Sequence, residues 1–149
     1  MNPQELLYAK THEWVHVDVT PSGMKVATVG ITDFAYEALT DLVFLQLPRV
    51  GEPVQAGERF GEIESVKAVS DLYSPVDGLI LESHDAAAYD LEALPRDPYE
   101  FGWFVKIKVT NVSGLIRLMT YELYQKQLRQ TALPQHVMTQ PAEELFGRS

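Results

Sequence analysis

The sequence predicts a mainly β domain, a small barrel or sandwich carrying short helices, and three observations lead there. Runs of four to eight residues rich in β-branched and aromatic side chains recur along the first 109 positions. Clusters of Gly, Pro, Asp and Ser interrupt them at short intervals. Past residue 110 the apolar spacing lengthens to that of a helix for most of the remaining chain. With 149 residues the chain can bury the core of one domain.

In order, residues 14–19 read as a strand, Pro21-Ser22-Gly23 supplies a turn, and residues 25–29 return as the second strand of a hairpin. Thr32 caps a short helix whose apolar positions are Phe34, Ala35, Ala38 and Leu39. Residues 43–47 form a strand that Pro48 stops. Turn signals then crowd together at Val50-Gly51-Glu52-Pro53, Ala56-Gly57-Glu58, Ser74-Pro75 and Asp77-Gly78. One helical turn fits residues 90–94, and residues 103–109 make the last strand. Leu115, Ile116, Leu118 and Met119 suit a short helix. Thr120 caps another, on which Tyr121, Tyr124 and Leu128 share a face and which Pro134 ends. The expected organisation is one domain over residues 1–133 and a flexible tail over 134–149, with one turn at 143–146.

Charge and composition exclude several function classes. The formal charge is −9, from 12 basic and 21 acidic residues. Residues 1–109 hold 18 of the acids and 8 of the bases, so the body is acidic and the remainder near neutral. Such a surface repels nucleic acid and anionic lipid. No apolar run approaches a membrane span, and the N-terminus lacks a charged segment followed by an apolar one, so the expectation is a soluble cytoplasmic protein. There is no cysteine, hence no disulfide framework, thiolate nucleophile or CxxC metal site. His12, His16, His84 and His136 share no metal-ligand spacing, and Asp85 beside His84 reads as a local pair. No nucleophile–base motif or phosphate loop appears, so no catalytic residue is assigned.

The informative feature is Lys67. It lies between two strand-like arms, residues 60–66 and 68–73, with Gly57 and Gly78 about equally far outside them. That symmetry predicts a tight hairpin with Lys67 projecting from its tip. Val66, Ala68 and Val69 are unusual company for a merely solubilising loop, where Gly, Asn and Asp are expected. Small apolar flanks suit a lysine presented to a modifying enzyme, with Glu62, Glu64 and Asp71 offering charge for recognition.

Glu64-Ser65-Val66-Lys67-Ala68, continued by residues 70–78, resembles the lipoyl-attachment segment of the glycine cleavage H proteins. Further segments agree in order: His12-Glu13-Trp14, Gly30-Ile31-Thr32-Asp33 with Glu37-Ala38-Leu39, residues 43–48, Asp97-Pro98-Tyr99, and residues 102–107. Ser113, Leu115, Leu118, Glu122 and Tyr124 follow the family's terminal helices, so the likeness covers residues 7–128.

The resemblance implies a lipoyl/biotinyl-type barrel-sandwich hybrid of two small sheets, with Lys67 on the hairpin between them. It implies lipoate joined by an amide to Lys67 as a swinging arm, after transfer by a lipoate ligase or a lipoyl or octanoyl transferase. Partners would be glycine decarboxylase, aminomethyltransferase and dihydrolipoyl dehydrogenase. In the family the loaded arm rests in a cleft whose polar groups hold its amine; the matching positions are Glu13, Ser65 and Asp71. Their alternative readings are a surface strand carboxylate for Glu13 and turn polarity for the other two.

The chain departs from the family at Phe34, where many members carry His, and at residues 83–86, 94–96 and 100–101. These changes read as lost hydrogen-bonding partners for a bound amine, and the tail is longer than usual. They keep open a second cargo, sulfur, carried as by the H-protein-like lipoate-binding proteins that serve the heterodisulfide-reductase-like complex of sulfur oxidation. A biotinyl carrier is disfavoured because Val66-Lys67-Ala68 is not Met-Lys-Met. The acidic body predicts basic partner surfaces around Lys67.

Overall fold

β2 (Glu13–Val19) and β3 (Lys25–Ile31) form the predicted hairpin, in unbroken register from Glu13 opposite Ile31 to Val19 opposite Lys25. The computed structural model describes residues 1–137, with side chains described as far as residue 130. Two-residue β1 (Leu7–Tyr8) adds to the outer side of β2, and β9 (Trp103–Asn111) pairs with β3. β8 (Asp77–Ser83) and the short β5 (Pro53–Val54) complete a six-stranded sheet in the order β1-β2-β3-β9-β8-β5. A second sheet has the order β4-β6-β7, from β4 (Leu42–Gln46), β6 (Arg59–Ser65) and β7 (Val69–Tyr73).

The two sheets enclose one core in which Val29, Ile63, Leu72, Ile80, Phe104 and Ile107 are almost wholly removed from water. A second cluster of Leu6, Tyr8, Trp14 and Tyr124 seats the C-terminal helix α3 (Tyr121–Val137) against β1 and β2. α1 (Asp33–Leu39) is capped as expected: the Thr32 hydroxyl accepts from the Ala35 N–H at 3.3 Å, and Tyr36 and Leu39 face the core.

The mainly β barrel-sandwich architecture is present, with corrections of detail. The sheets are unequal, and the Lys67 hairpin lies within the smaller one, as β6–β7, rather than between the two. Helical structure near residue 90 comes in two pieces, a 3-10 segment Asp85–Tyr89 and α2 (Ala93–Arg96), because buried Ala87 and Leu94 anchor each separately. The short helix expected from Leu115 to Met119 is a 3-10 segment Val112–Arg117; Met119 instead bridges to Tyr8 through paired backbone bonds of 2.7 and 2.9 Å. Pro134 does not end α3, which continues to Val137. A proline removes one N–H from the helical ladder, and here that loss does not terminate the helix. The turn expected at residues 143–146 lies outside the described residues.

Gly78 sits where β8 crosses β9, and a Cβ there would stand 2.1 Å from the Lys108 carbonyl oxygen and 2.6 Å from Ile107 Cγ2. Backbone cannot yield as a side-chain tip does. Gly78→Ala is therefore expected to lower unfolding free energy by about 2–3 kcal/mol in denaturant titration, without changing the denaturant slope.

Candidate functional site

The hairpin tip is built from one serine. Ser65 closes the turn with its N–H on the Ala68 carbonyl at 2.8 Å, while its hydroxyl accepts from the Ala68 N–H at 3.1 Å and the Lys67 N–H at 3.3 Å. Val66 and Lys67 are left at the tip, and the Val66 N–H is tethered to the Asp41 carbonyl at 2.9 Å. The Lys67 side chain is exposed, and its ammonium joins none of the ion pairs among the described residues. Val66 and Val69 are 66% and 60% exposed, and Val43 and Phe44 of β4 extend this apolar surface. Glu64, half-buried on β6 opposite Val69, supplies acid beside it.

A cleft of about 320 Å³ opens beside the hairpin, between β7 and α1. Its long walls are apolar, from Ile31, Phe34, Ala35, Leu39, Val69 and Leu72. Ala68, the neighbour of Lys67, stands at one part of its lining; Thr11, His12, Glu13 and Asp71 give it polar groups. An aliphatic chain with a polar head matches this lining.

Glu13 is no surface carboxylate. It is 1% exposed, with Oε2 accepting from the Tyr73 N–H at 3.0 Å and Oε1 accepting from the Thr11 hydroxyl. Burial pushes its pKa from an ordinary 4.5 up to about 7, although the Thr11 and Tyr73 hydrogen bonds pull the other way. Asp71 also lines the cleft, yet its Oδ1 accepts from Arg59 Nε at 2.9 Å, and Arg59 Nη2 reaches Glu62 Oε1 at 3.2 Å. Ser65 is absent from the cleft lining; its work is in the turn.

Of the departures read from the sequence, only Phe34 lines this cleft, with its ring 4.9 Å from that of His12. His84 instead stacks on Trp103 at 4.4 Å and bonds the Trp103 carbonyl through Nδ1 at 2.7 Å, so no His84–Asp85 pair forms. Pro95 and Arg96 border a different hollow beside α2, and Glu100 meets the N-terminal ammonium. The expected loss of polar partners thus reduces to one position. Sequence reasoning missed Thr11, His12 and Arg59: the first two because they lie in the turn ahead of β2, outside any periodic pattern, the third because its partners are twelve and three residues away.

The profile of the glycine cleavage H-protein family matches residues 6–131. The chain belongs to the glycine cleavage H-protein family. It is 41% identical over 128 residues to the glycine cleavage system H protein of Carboxydothermus hydrogenoformans, covering 86% of this chain and 95% of the relative. It is 48% identical over 126 residues to that of Rhodopirellula baltica, covering 85% and 94%. The crystal structure of the Mycobacterium marinum glycine cleavage system H protein superposes with a TM-score of 0.77 at 44% identity, covering 86% of this chain and 99% of that one. Family membership supports glycine cleavage over sulfur carriage.

The Glu13 shift has a testable consequence with a definite sign. The folded chain holds the Glu13 proton to higher pH than the unfolded chain does, so between about pH 4.5 and about 7 folding binds protons. Unfolding free energy is then expected to fall as pH rises through that window and to level off above it. Relative to Glu13→Gln the drop should be on the order of 2–3 kcal/mol, read from denaturant titrations across the window. Parallel pH profiles for the two proteins would contradict it.

Proposed function

We propose that Lys67 carries lipoate through an amide, and that the chain is a carrier, not a catalyst, passing an aminomethyl group among the enzymes of glycine cleavage. The observation that carries this reading is an unpaired, exposed lysine at a serine-closed hairpin tip beside an apolar cleft with a polar group at Glu13. Lipoate supplies a disulfide that opens and closes by thiol exchange. The chain's residues do the rest. Ser65 holds the tip in one conformation, Val66 and Ala68 leave the ε-amine accessible, and Glu64 marks the segment with charge for the attaching ligase or transferase. Phe34, Leu39 and Leu72 exclude water from the cleft, and Glu13 offers an acceptor to an amine. Asp71 contributes to the same end only by loosening its hold on Arg59.

The partners are glycine decarboxylase, aminomethyltransferase and dihydrolipoyl dehydrogenase, approached with basic surfaces toward the acidic body. The working compartment is the cytoplasm; among the described residues no helix is long and apolar enough to cross a membrane.

Intact mass after incubation with a lipoate ligase, lipoate and ATP is expected to show one lipoyl group on the wild type and none on Lys67→Ala. The lipoylated chain should support glycine–bicarbonate exchange by the decarboxylase, more weakly as salt rises. Modification of the alanine variant, or no exchange from fully lipoylated protein, would overturn the reading.

A further inference from the structure

Three consecutive residues, Thr11, His12 and Glu13, line one cleft. Thr11 and His12 form the turn that leads into β2 at Glu13, so the side-to-side alternation of a strand does not separate the three. His12 turns the backbone with φ of 81°, in the left-handed region that few residues other than glycine occupy. Its surroundings are specific. The His12 N–H donates to the Ala9 carbonyl at 3.0 Å, and its own carbonyl accepts from the Thr32 N–H at 3.0 Å. Its Nδ1 meets the Tyr124 hydroxyl at 2.8 Å, and that hydroxyl meets Thr32 Oγ1 at 2.8 Å. Tyr124 is itself buried and stacked on Tyr8 with centroids 4.6 Å apart.

Counting hydrogens orients this chain. Thr32 is fully buried, and its oxygen already accepts from the Ala35 N–H. The hydroxyl hydrogen finds its acceptor in the Tyr124 oxygen, and the Tyr124 hydrogen is then given to His12 Nδ1. Burial lowers the imidazole pKa, which favours the neutral ring. A neutral ring that accepts at Nδ1 carries its hydrogen on Nε2. That Nε2–H has no partner among the described residues.

We propose that the His12 Nε2–H is a hydrogen-bond donor to the amine of the carried aminomethyl group, and that Tyr124 and Thr32 are positioning residues that set the ring's tautomer. The inference rests on the carrier reading above. A neutral amine would take the His12 hydrogen on its lone pair and give one of its own to Glu13. Loss of the cargo requires that lone pair: it expels the sulfur as thiolate and, with one water consumed, leaves thiol, formaldehyde and ammonia. A donor seated on the lone pair withholds it from that step and prolongs the loaded state.

The test uses the full lipoylated chain, loaded from glycine by the decarboxylase, with lipoate and cargo first confirmed by intact mass. His12→Asn keeps a residue that tolerates positive φ and an amide oxygen that can accept the Tyr124 hydrogen. The variant should still unfold in one cooperative transition, at a temperature lowered by the lost ring contacts with Phe34 and Tyr124. Its cargo half-life is expected to shorten about tenfold, the scale of one lost hydrogen bond. Imidazole nitrogen spectra of the unloaded wild type should show the Nε2–H tautomer, and Tyr124→Phe should mix the two. Absence of lipoate at Lys67 overturns the carrier reading itself. With lipoate and cargo in place, an unchanged half-life in His12→Asn, or an Nδ1–H ring in the wild type, overturns only the role of His12.

Discussion

The carboxylate of Glu13 is the hinge of the architecture. It sits at the start of β2 in the larger sheet, stripped of water, and receives the backbone N–H at the end of β7 in the smaller one. A charge so buried is costly unless it is hydrogen-bonded, and this one is met from both sheets' neighbourhoods, by Thr11 and by Tyr73. The edge of the small sheet is thereby pinned beside α1, and the space between them is the cleft. One residue therefore ties the edge of the small sheet to the large one and lines the cleft beside that edge. Burial at that junction raises its pKa, against the pull of the hydrogen bonds that hold it there.

Much of the fold was legible because its devices are local. The Thr32 cap, the Pro21-Ser22-Gly23 turn and the strands rich in β-branched and aromatic residues at 14–19 and 103–109 each depend on neighbours in sequence. What was less legible depends on partners far along the chain. β1 and β5 are two residues long and exist only because β2 and β8 offer them an edge. The division of helical structure near residue 90 follows from which apolar side chains reach the core, which no propensity records.

The site divides the same way. Lys67 and its turn could be read from symmetry and composition, since the whole device spans a few residues. The cleft could not. It combines Thr11 to Glu13, α1 and β7, segments brought together by pairing registers rather than spacing. The expectation that several departures from the family empty the cleft of polarity failed because Pro95, Arg96 and Glu100 belong to other surfaces. Arg59 is the converse case, an unremarkable strand residue that occupies Asp71 in the folded chain.

The small sheet has two open sides, and each is managed differently. β7 borders the cleft, and the N–H at its end is already taken by Glu13. β4 is short and slips register between Leu42 and Phe44, with the 3-10 segment Asp85–Tyr89 lying near its end. A protein that must display Val43, Phe44, Val66 and Val69 to its clients courts self-association, because apolar strands at a border readily recruit copies of themselves. A β7 whose end is already bonded to Glu13 and an irregular β4 deny such copies a straight template. The exposed apolar surface is left to meet partners by side-chain contact rather than by strand addition, the kind of contact that can be made and released at every visit.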